Sequence, residues 1–218
     1  MKPLLLLLTA SIACTFAVAQ VTSISQLEDV KTSDKYYKAL QSLVERWGII
    51  GKEEATQGNK YFGNKPLTRK SFVVVMKAAL NRLNDMLELV LEDPSQSNAD
   101  SLTKVFRKKR MKGYHDAAVL KVTAIDQYKD VTDLKEYYAA LQELVEKYNL
   151  VIGSSGNLFS EDKPVTHAEL QKIFSGYFGI KDIIKSSAKV VTRGDWAIYL
   201  DNLLEYLQDD LAKILSGD

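Results

Sequence analysis

Asp29-Val30, followed by Tyr36-Tyr37-Lys38-Ala39-Leu40-Gln41-Ser42-Leu43-Val44-Glu45, returns later in the chain as Asp130-Val131 and Tyr137-Tyr138-Ala139-Ala140-Leu141-Gln142-Glu143-Leu144-Val145-Glu146. Each copy leads into a Lys-Pro-[Leu/Val]-Thr step, Lys65 to Thr68 and Lys163 to Thr166, and then into a second apolar-periodic segment. A repeat of this length is a supersecondary module that buries its apolar face against its neighbours. It directs the question of function towards what the module binds.

Within the first copy, Tyr36, Leu40, Leu43, Val44 and Trp47 fall at spacings of three and four, one face of an amphipathic helix over residues 35–47. Gly48 stops that helix, and Asn149 stands at the same place in the second copy. Gly and Asn are the two residues that best accept the left-handed conformation at a helix C-terminus, so the exchange predicts one shared backbone turn. A short apolar step follows, Ile49-Ile50-Gly51 or Leu150-Val151-Ile152-Gly153, then a polar loop read as pinned by Phe62 or Phe159.

The second helix of each module is expected to begin at its Thr. Pro66 and Pro164 hold the preceding residue extended, so neither helix starts earlier. Thr68 and Thr166 suit the N-cap, and Thr166-His167-Ala168-Glu169 is a full capping box. Phe72, Val75, Met76, Ala79, Leu80 and Leu83 form one stripe, and Leu170, Ile173, Phe174 and Tyr177 another. A third cap, Thr192-Arg193-Gly194-Asp195, precedes Trp196, Tyr199, Leu200, Leu203, Leu204 and Leu207 at helical spacing. Residues 179–191 are too few for a first helix and loop, so this module is partial. The reading is all-α: a signal over 1–19, modules over 20–83 and 128–178, a helical linker or insert over 84–127, and a partial module over 179–218. Within the insert, residues 101–112 read as a basic helix around Arg107-Lys108-Lys109-Arg110.

The N-terminus has the layout of a secretory signal: Lys2, an apolar run from Leu4, and Ala17-Val18-Ala19 as a small-residue cleavage site. Ser11-Ile12-Ala13-Cys14 only loosely matches a lipoprotein processing site, since Ser11 stands where a large aliphatic residue is usual; lipidation is the lesser expectation. Cys14 is the one cysteine, so cleavage after Ala19 leaves none for a disulfide, a thiol catalyst or a metal. The chain carries 29 Lys and Arg against 28 Asp and Glu, and only Lys2 of these lies in the signal. Such balance gives no general attraction to nucleic acid or a membrane surface. No other segment is long and apolar enough to span a bilayer.

The order Asp-Val, aromatic helix start, Gly-Ile-Ile-Gly-type step, loop aromatic and Pro-[Leu/Val]-Thr-Arg resembles the S-layer homology domain. Residues 29–83 and 128–178 look like complete copies, and 190–207 like the second half of a third. The resemblance implies short helices in tandem modules around a pseudo-threefold axis. It also implies non-covalent anchoring of a secreted protein to cell-wall polysaccharide or peptidoglycan-linked glycan, carrying pyruvylated amino sugars in well-studied members. The family's Thr-Arg-Ala-Glu motif stands here as Thr68-Arg69-Lys70-Ser71, Thr166-His167-Ala168-Glu169 and Thr192-Arg193-Gly194-Asp195. By resemblance, Thr68, Arg69, Thr166, His167, Glu169, Thr192, Arg193 and Asp195 are the candidate glycan-binding residues. His167 departs from the motif's Arg, and Ser71 from its acid.

Physical chemistry adds a reason. A cation at a helix N-terminus opposes the dipole at a cost of ~0.3–1 kcal/mol. That cost is offset where the arginine and free amides together hold an anion, such as a ketal carboxylate or a phosphate. The plainer readings are helix caps for the threonines, solvated side chains for the arginines, and packing for Trp47, Trp196, Tyr36 and Tyr137. Catalysis finds no constellation: His115 and His167 lack a spaced second metal ligand, and no nucleophile elbow or phosphate-cradling loop occurs. The expectation is a non-enzymatic protein of the cell envelope, without metal or cofactor, binding a cell-wall glycan near the caps. The alternative is an envelope scaffold whose degenerate modules bind another protein and no glycan.

Overall fold

The structure is a computed structural model that describes residues 21–50, 58–90, 122–153, 155–181, 183–184 and 189–216. The expected signal, the basic run around Arg107 and His115 lie outside these residues. The fold is all-α. Helix α1 (Tyr37–Gln41) runs into a π turn, Ser42–Arg46, and α2 spans Arg69–Val90. In the second repeat α3 (Tyr138–Gln142) and α4 (His167–Lys172) likewise continue as π turns, Glu143–Lys147 and Ile173–Tyr177. The chain closes with α5, Arg193–Ser216. No described helix is long and apolar enough to cross a membrane.

The periodic residues face inward as their spacing requires. Leu40, Leu43, Val44 and Trp47 of the first helix are buried, as are Phe72, Val75, Met76, Ala79, Leu80 and Leu83 of the second. The corresponding residues of α4 and α5 join them in one core. The stops also hold. Gly48 and Asn149 adopt φ of 63° and 53°, the left-handed region. At each, an amide beyond the stop reaches back six residues: Ile49 N to Leu43 O at 2.9 Å and Leu150 N to Leu144 O at 2.7 Å. Gly179 ends α4's π turn the same way, with Ile180 N on Phe174 O at 2.8 Å. This is the Schellman closure, and a Cβ at φ > 0 is what Gly and Asn tolerate best.

Two corrections to the sequence reading follow from longer-range pairing. The loop aromatic matching Phe159 is Tyr61, not Phe62. Asp29 accepts from the amides of Tyr61 and Phe62 at 2.7 Å, while Asp130 accepts from those of Phe159 and Ser160 at 2.8 and 2.7 Å. Phe62 and Ser160 share φ of 55°, which confirms that register. The repeat also starts earlier than Asp29 and Asp130. The polar lead-in is a structured 3-10 turn, Ile24–Gln26, matched by Ile125–Gln127. Glu45 and Glu146 receive the amides of Ile24 and Ile125 at 3.0 and 3.1 Å. The second unit therefore includes the buried Val122, six positions before the expected boundary at 128.

Helix α5 packs on α1, placing the half-buried Asp201 near Ser42 and Trp47. Burial raises its pKa; the Ser42 hydroxyl opposes this and Glu205 adds to it. A carboxyl whose folded pKa is raised weakens the fold as pH climbs through the interval between its unfolded and folded values. Asp201→Asn is therefore expected to raise the melting temperature at pH 7. The gain should vanish below about pH 4, where the unfolded carboxyl is also protonated. Thermal melts across that range check it.

Candidate functional site

The three caps form a closed cycle. Leu67 N donates to Val191 O at 2.9 Å, Val191 N to Val165 O at 2.9 Å, and Val165 N to Leu67 O at 2.8 Å. A second ring runs outside the first. Arg69 N donates to Lys163 O, His167 N to Lys189 O, and Arg193 N to Lys65 O, at 3.1, 3.3 and 2.9 Å. Three isolated antiparallel bridges, Pro66 with Thr192, Thr68 with Pro164 and Thr166 with Val190, join the same segments. The prolines suit this arrangement, because their rings hold the chain extended up to each cap.

Each threonine caps its helix. Thr166 Oγ1 accepts from Glu169 N at 3.2 Å while Glu169 Oε2 accepts from Thr166 N at 2.9 Å. Thr192 and Asp195 repeat the exchange at 3.0 and 3.3 Å. Thr68 Oγ1 accepts from Ser71 N at 3.3 Å, but Ser71 returns nothing to the cap amide. The first cap is half a box, because serine is too short to reach back.

The residues at the second cap position are not solvated. Arg69, His167 and Arg193 are only 4, 6 and 5% exposed. The cycle sends each into the junction with the next cap, and their surroundings differ. Arg69 is engaged by the second repeat: Nη1 donates to Phe159 O and Nη2 to Glu169 Oε1, both at 2.6 Å, while Nε meets no acceptor among the described residues. Burial works against the Glu169 charge, but Arg69 and Thr166 overcome it and hold the carboxyl below its usual pKa. Gly153 at φ 83° leaves room for this guanidinium; a Cβ there would collide with it. Arg69 thus carries a structural ion pair.

Arg193 enters the corresponding junction with the first repeat, and its guanidinium carbon lies 4.9 Å from the Tyr61 ring centre. Tyr61 donates its hydroxyl proton to Arg193 O at 2.6 Å. No acceptor among the described residues meets Nε or Nη2. Burial lowers the Arg193 pKa from its ordinary value. Arg193 lines a void of only about 10 Å³ with Ser71 and Trp196; a separate cavity of about 360 Å³ is lined by Asp29, Tyr36, Phe62, Gly63, Asn64 and Lys65, whose carbonyl holds the Arg193 amide. Gly194 N donates to Gly63 O at 2.8 Å, and both glycines give up a Cβ to the Tyr36 ring. Lys65 Nζ sits 3.8 Å from the Phe62 ring centre, and Lys35 pairs with Asp195 at 2.6 Å.

His167 meets the edge of Tyr199 at 5.8 Å, and neither ring nitrogen has a partner among the described residues. The eight expected site residues are thus gathered at three cap junctions, each with its own chemistry. Missing from that expectation are Tyr36, Tyr61, Gly63 and Lys65, which form the wall beside Arg193. The duplication flagged Tyr36, but nothing local linked the other three to the third cap, which for Tyr61 lies 132 residues away. A larger cavity of about 650 Å³ lies between the end of the first π turn with its Gly48 stop, α2 and the start of α3. Of its three cations, Arg46 and Lys77 are engaged by Glu205 and Glu143, and Arg82 is the third. No described group of His, Cys, Asp and Glu is placed to hold a metal ion.

No family model matches the chain. An uncharacterized protein of Nostoc sp. is 42% identical over 77 residues, 35% of this chain and 13% of the relative. An uncharacterized protein of Synechocystis sp. is 40% identical over 75 residues, 33% of this chain and 14% of the relative. The chain therefore spans about one seventh of the length of these relatives. No solved structure matches it.

Proposed function

We propose that the protein attaches non-covalently to the cell envelope by binding a cell-wall glycan at the junction of the third cap with the first repeat. One observation carries the reading: Arg193 is a buried cation with no ion pair in contact among the described residues, Asp29 being the carboxylate that acts on it, and Asp29 lines a neighbouring cavity of a size that suits a small ligand. A buried charge left unpaired is costly, and an incoming anion recovers that cost. The cavity adds sugar-compatible groups: the Asp29 carboxylate, the Asn64 amide, the Lys65 ammonium and the faces of Tyr36 and Phe62. The resemblance of the repeats to S-layer homology domains points the same way. Nothing in the site calls for a metal or cofactor, and we read the protein as non-enzymatic.

The rival reading, an envelope scaffold that binds a protein and no glycan, draws support from Arg69. The same motif residue there serves only to join two repeats. Co-sedimentation with sacculi purified from Synechocystis decides between them. The wild type should pellet with sacculi, and Arg193→Ala should stay in the supernatant while keeping a cooperative melt. A folded Arg193→Ala that still pellets removes the proposed role. A wild type that ignores sacculi but holds a protein in envelope pull-downs favours the scaffold.

A further inference from the structure

We propose that the side chains nine and thirteen positions beyond the cap threonines are an address that assigns each cap helix its covering helix, so that α2 takes α3 and α5 takes α1. The repeat creates the need for one. With their π turns, α1 and α3 bury matching triplets, Leu40, Leu43 and Val44 in the first and Leu141, Leu144 and Val145 in the second. Apolar surface alone therefore fits either covering helix to either cap helix. A chain with the pairing crossed, α2 on α1 and α5 on α3, would bury much the same area. Choosing between two such arrangements takes a contact that penalises the wrong one.

Charge supplies it. On α2, position nine is Lys77, whose Nζ lies 3.5 Å from Glu143 Oε2 in the turn that continues α3. Glu143 also takes Lys147 of its own turn at 3.1 Å. Asn81, at position thirteen, bridges the pair: with its amide turned to suit both, it accepts from Lys77 Nζ at 3.1 Å and donates to Glu143 Oε1 at 3.2 Å. On α5 both positions are acidic. Glu205, at thirteen, pairs with Arg46 of the first π turn at 3.2 Å. Asp201, at nine, faces Ser42, which stands in the first repeat where Glu143 stands in the second. Crossing the helices would set Asp201 against Glu143, two carboxylates in a half-buried junction. It would also exchange the acid of Arg46, Glu205, for the neutral Asn81. Helix α4 carries no such address. Its position nine is Ser175, whose hydroxyl donates back to Gln171 O at 2.6 Å, and its position thirteen is Gly179. The third repeat, with no first helix among the described residues, has none to assign.

Exchanging the residues at position nine tests the address by thermal melts at low and high salt. Lys77→Asp combined with Asp201→Lys opposes Glu143 with an acid and Arg46 with a cation. This twofold variant should melt roughly 4–10 °C below the wild type at low salt. The gap should shrink by about half in 1 M sodium chloride, because partly exposed charges are screened. Adding Ser42→Glu and Glu143→Ser moves the partners as well. The fourfold variant has the composition of the wild type and should recover most of the loss. If the twofold variant does not fold, the same reversal is read from Lys77→Asp alone, which should melt lower, and from Lys77→Asp with Glu143→Ser, which should regain part of the difference. Three results overturn the address: a twofold variant that melts with the wild type, a fourfold variant that recovers nothing, or a loss that salt leaves unchanged.

Discussion

Glu169→Ala is expected to destabilise the protein by about 3–4 kcal/mol. The side chain does two things at once. Its Oε1 neutralises Arg69 at 2.6 Å, and its Oε2 closes the cap of α4. Removing it strands a guanidinium that is 4% exposed, and breaking such a pair from one side costs about 3–5 kcal/mol. The lower end applies because the Glu169 side chain keeps 25% of its surface in solvent. Loss of its share of the capping box adds up to ~1 kcal/mol. For a chain of this size the melting temperature should fall by roughly 6–16 °C. Glu169→Gln can still accept at the cap amide, so it should lose less. The pH dependence carries a sign. The folded pKa of Glu169 is depressed, so its stabilisation is present above the unfolded carboxyl value and lost as pH falls through the folded one. Wild type and variant should converge in acid. Denaturant titrations at neutral and acid pH measure both effects, and a neutral-pH loss below about 1 kcal/mol would contradict the ion-pair role.

Trp196→Ala should cost about 3–5 kcal/mol by opening the core where the three cap helices meet. Trp196 is fully buried, with its ring centre 5.1 Å from Phe72 of α2 and 6.4 Å from Phe174 of the α4 turn. Phe72, Leu170 and Trp196 all stand four residues after a cap threonine, and all are buried. Helix packing alone accounts for the indole, whose N–H has no partner among the described residues. Trp196→Phe should therefore cost under ~1.5 kcal/mol, well short of the alanine variant. Equal losses for Phe and Ala in denaturant midpoints would assign the effect to the indole nitrogen and refute the packing account.

How far the sequence carried depends on the range of each interaction. Gly48 and Asn149 disclosed a left-handed turn because that conformation is a property of one residue and its neighbours. The stripes disclosed which faces are buried, since 3.6-residue periodicity is local too. The partners were another matter. Asp29 binds amides in a loop 32 residues on, so the loop register could not be read from aromatic identity, and Phe62 stood in for Tyr61. The arginine argument expected the cap cations to hold an outside anion. It could not say that, for Arg69, the anion is Glu169, 100 residues further along. Nor could it separate Arg69, which meets Glu169, from Arg193, whose Nε and Nη2 meet no acceptor among the described residues.

The ring of cap hydrogen bonds has a consequence for synthesis. Residues of the first repeat close on the last: Lys35 reaches Asp195 across 160 positions, and Tyr61 reaches Arg193 across 132. The nascent first repeat therefore emerges with the amide of Leu67 unclaimed and the Trp196 side of its core open. It has to wait for the C-terminal helix. Contacts of such separation slow folding and prolong exposure of apolar surface. The last helix thus acts as the closing stave of a barrel: a ribosome-bound chain stalled before it should remain protease-sensitive from its first repeat onward.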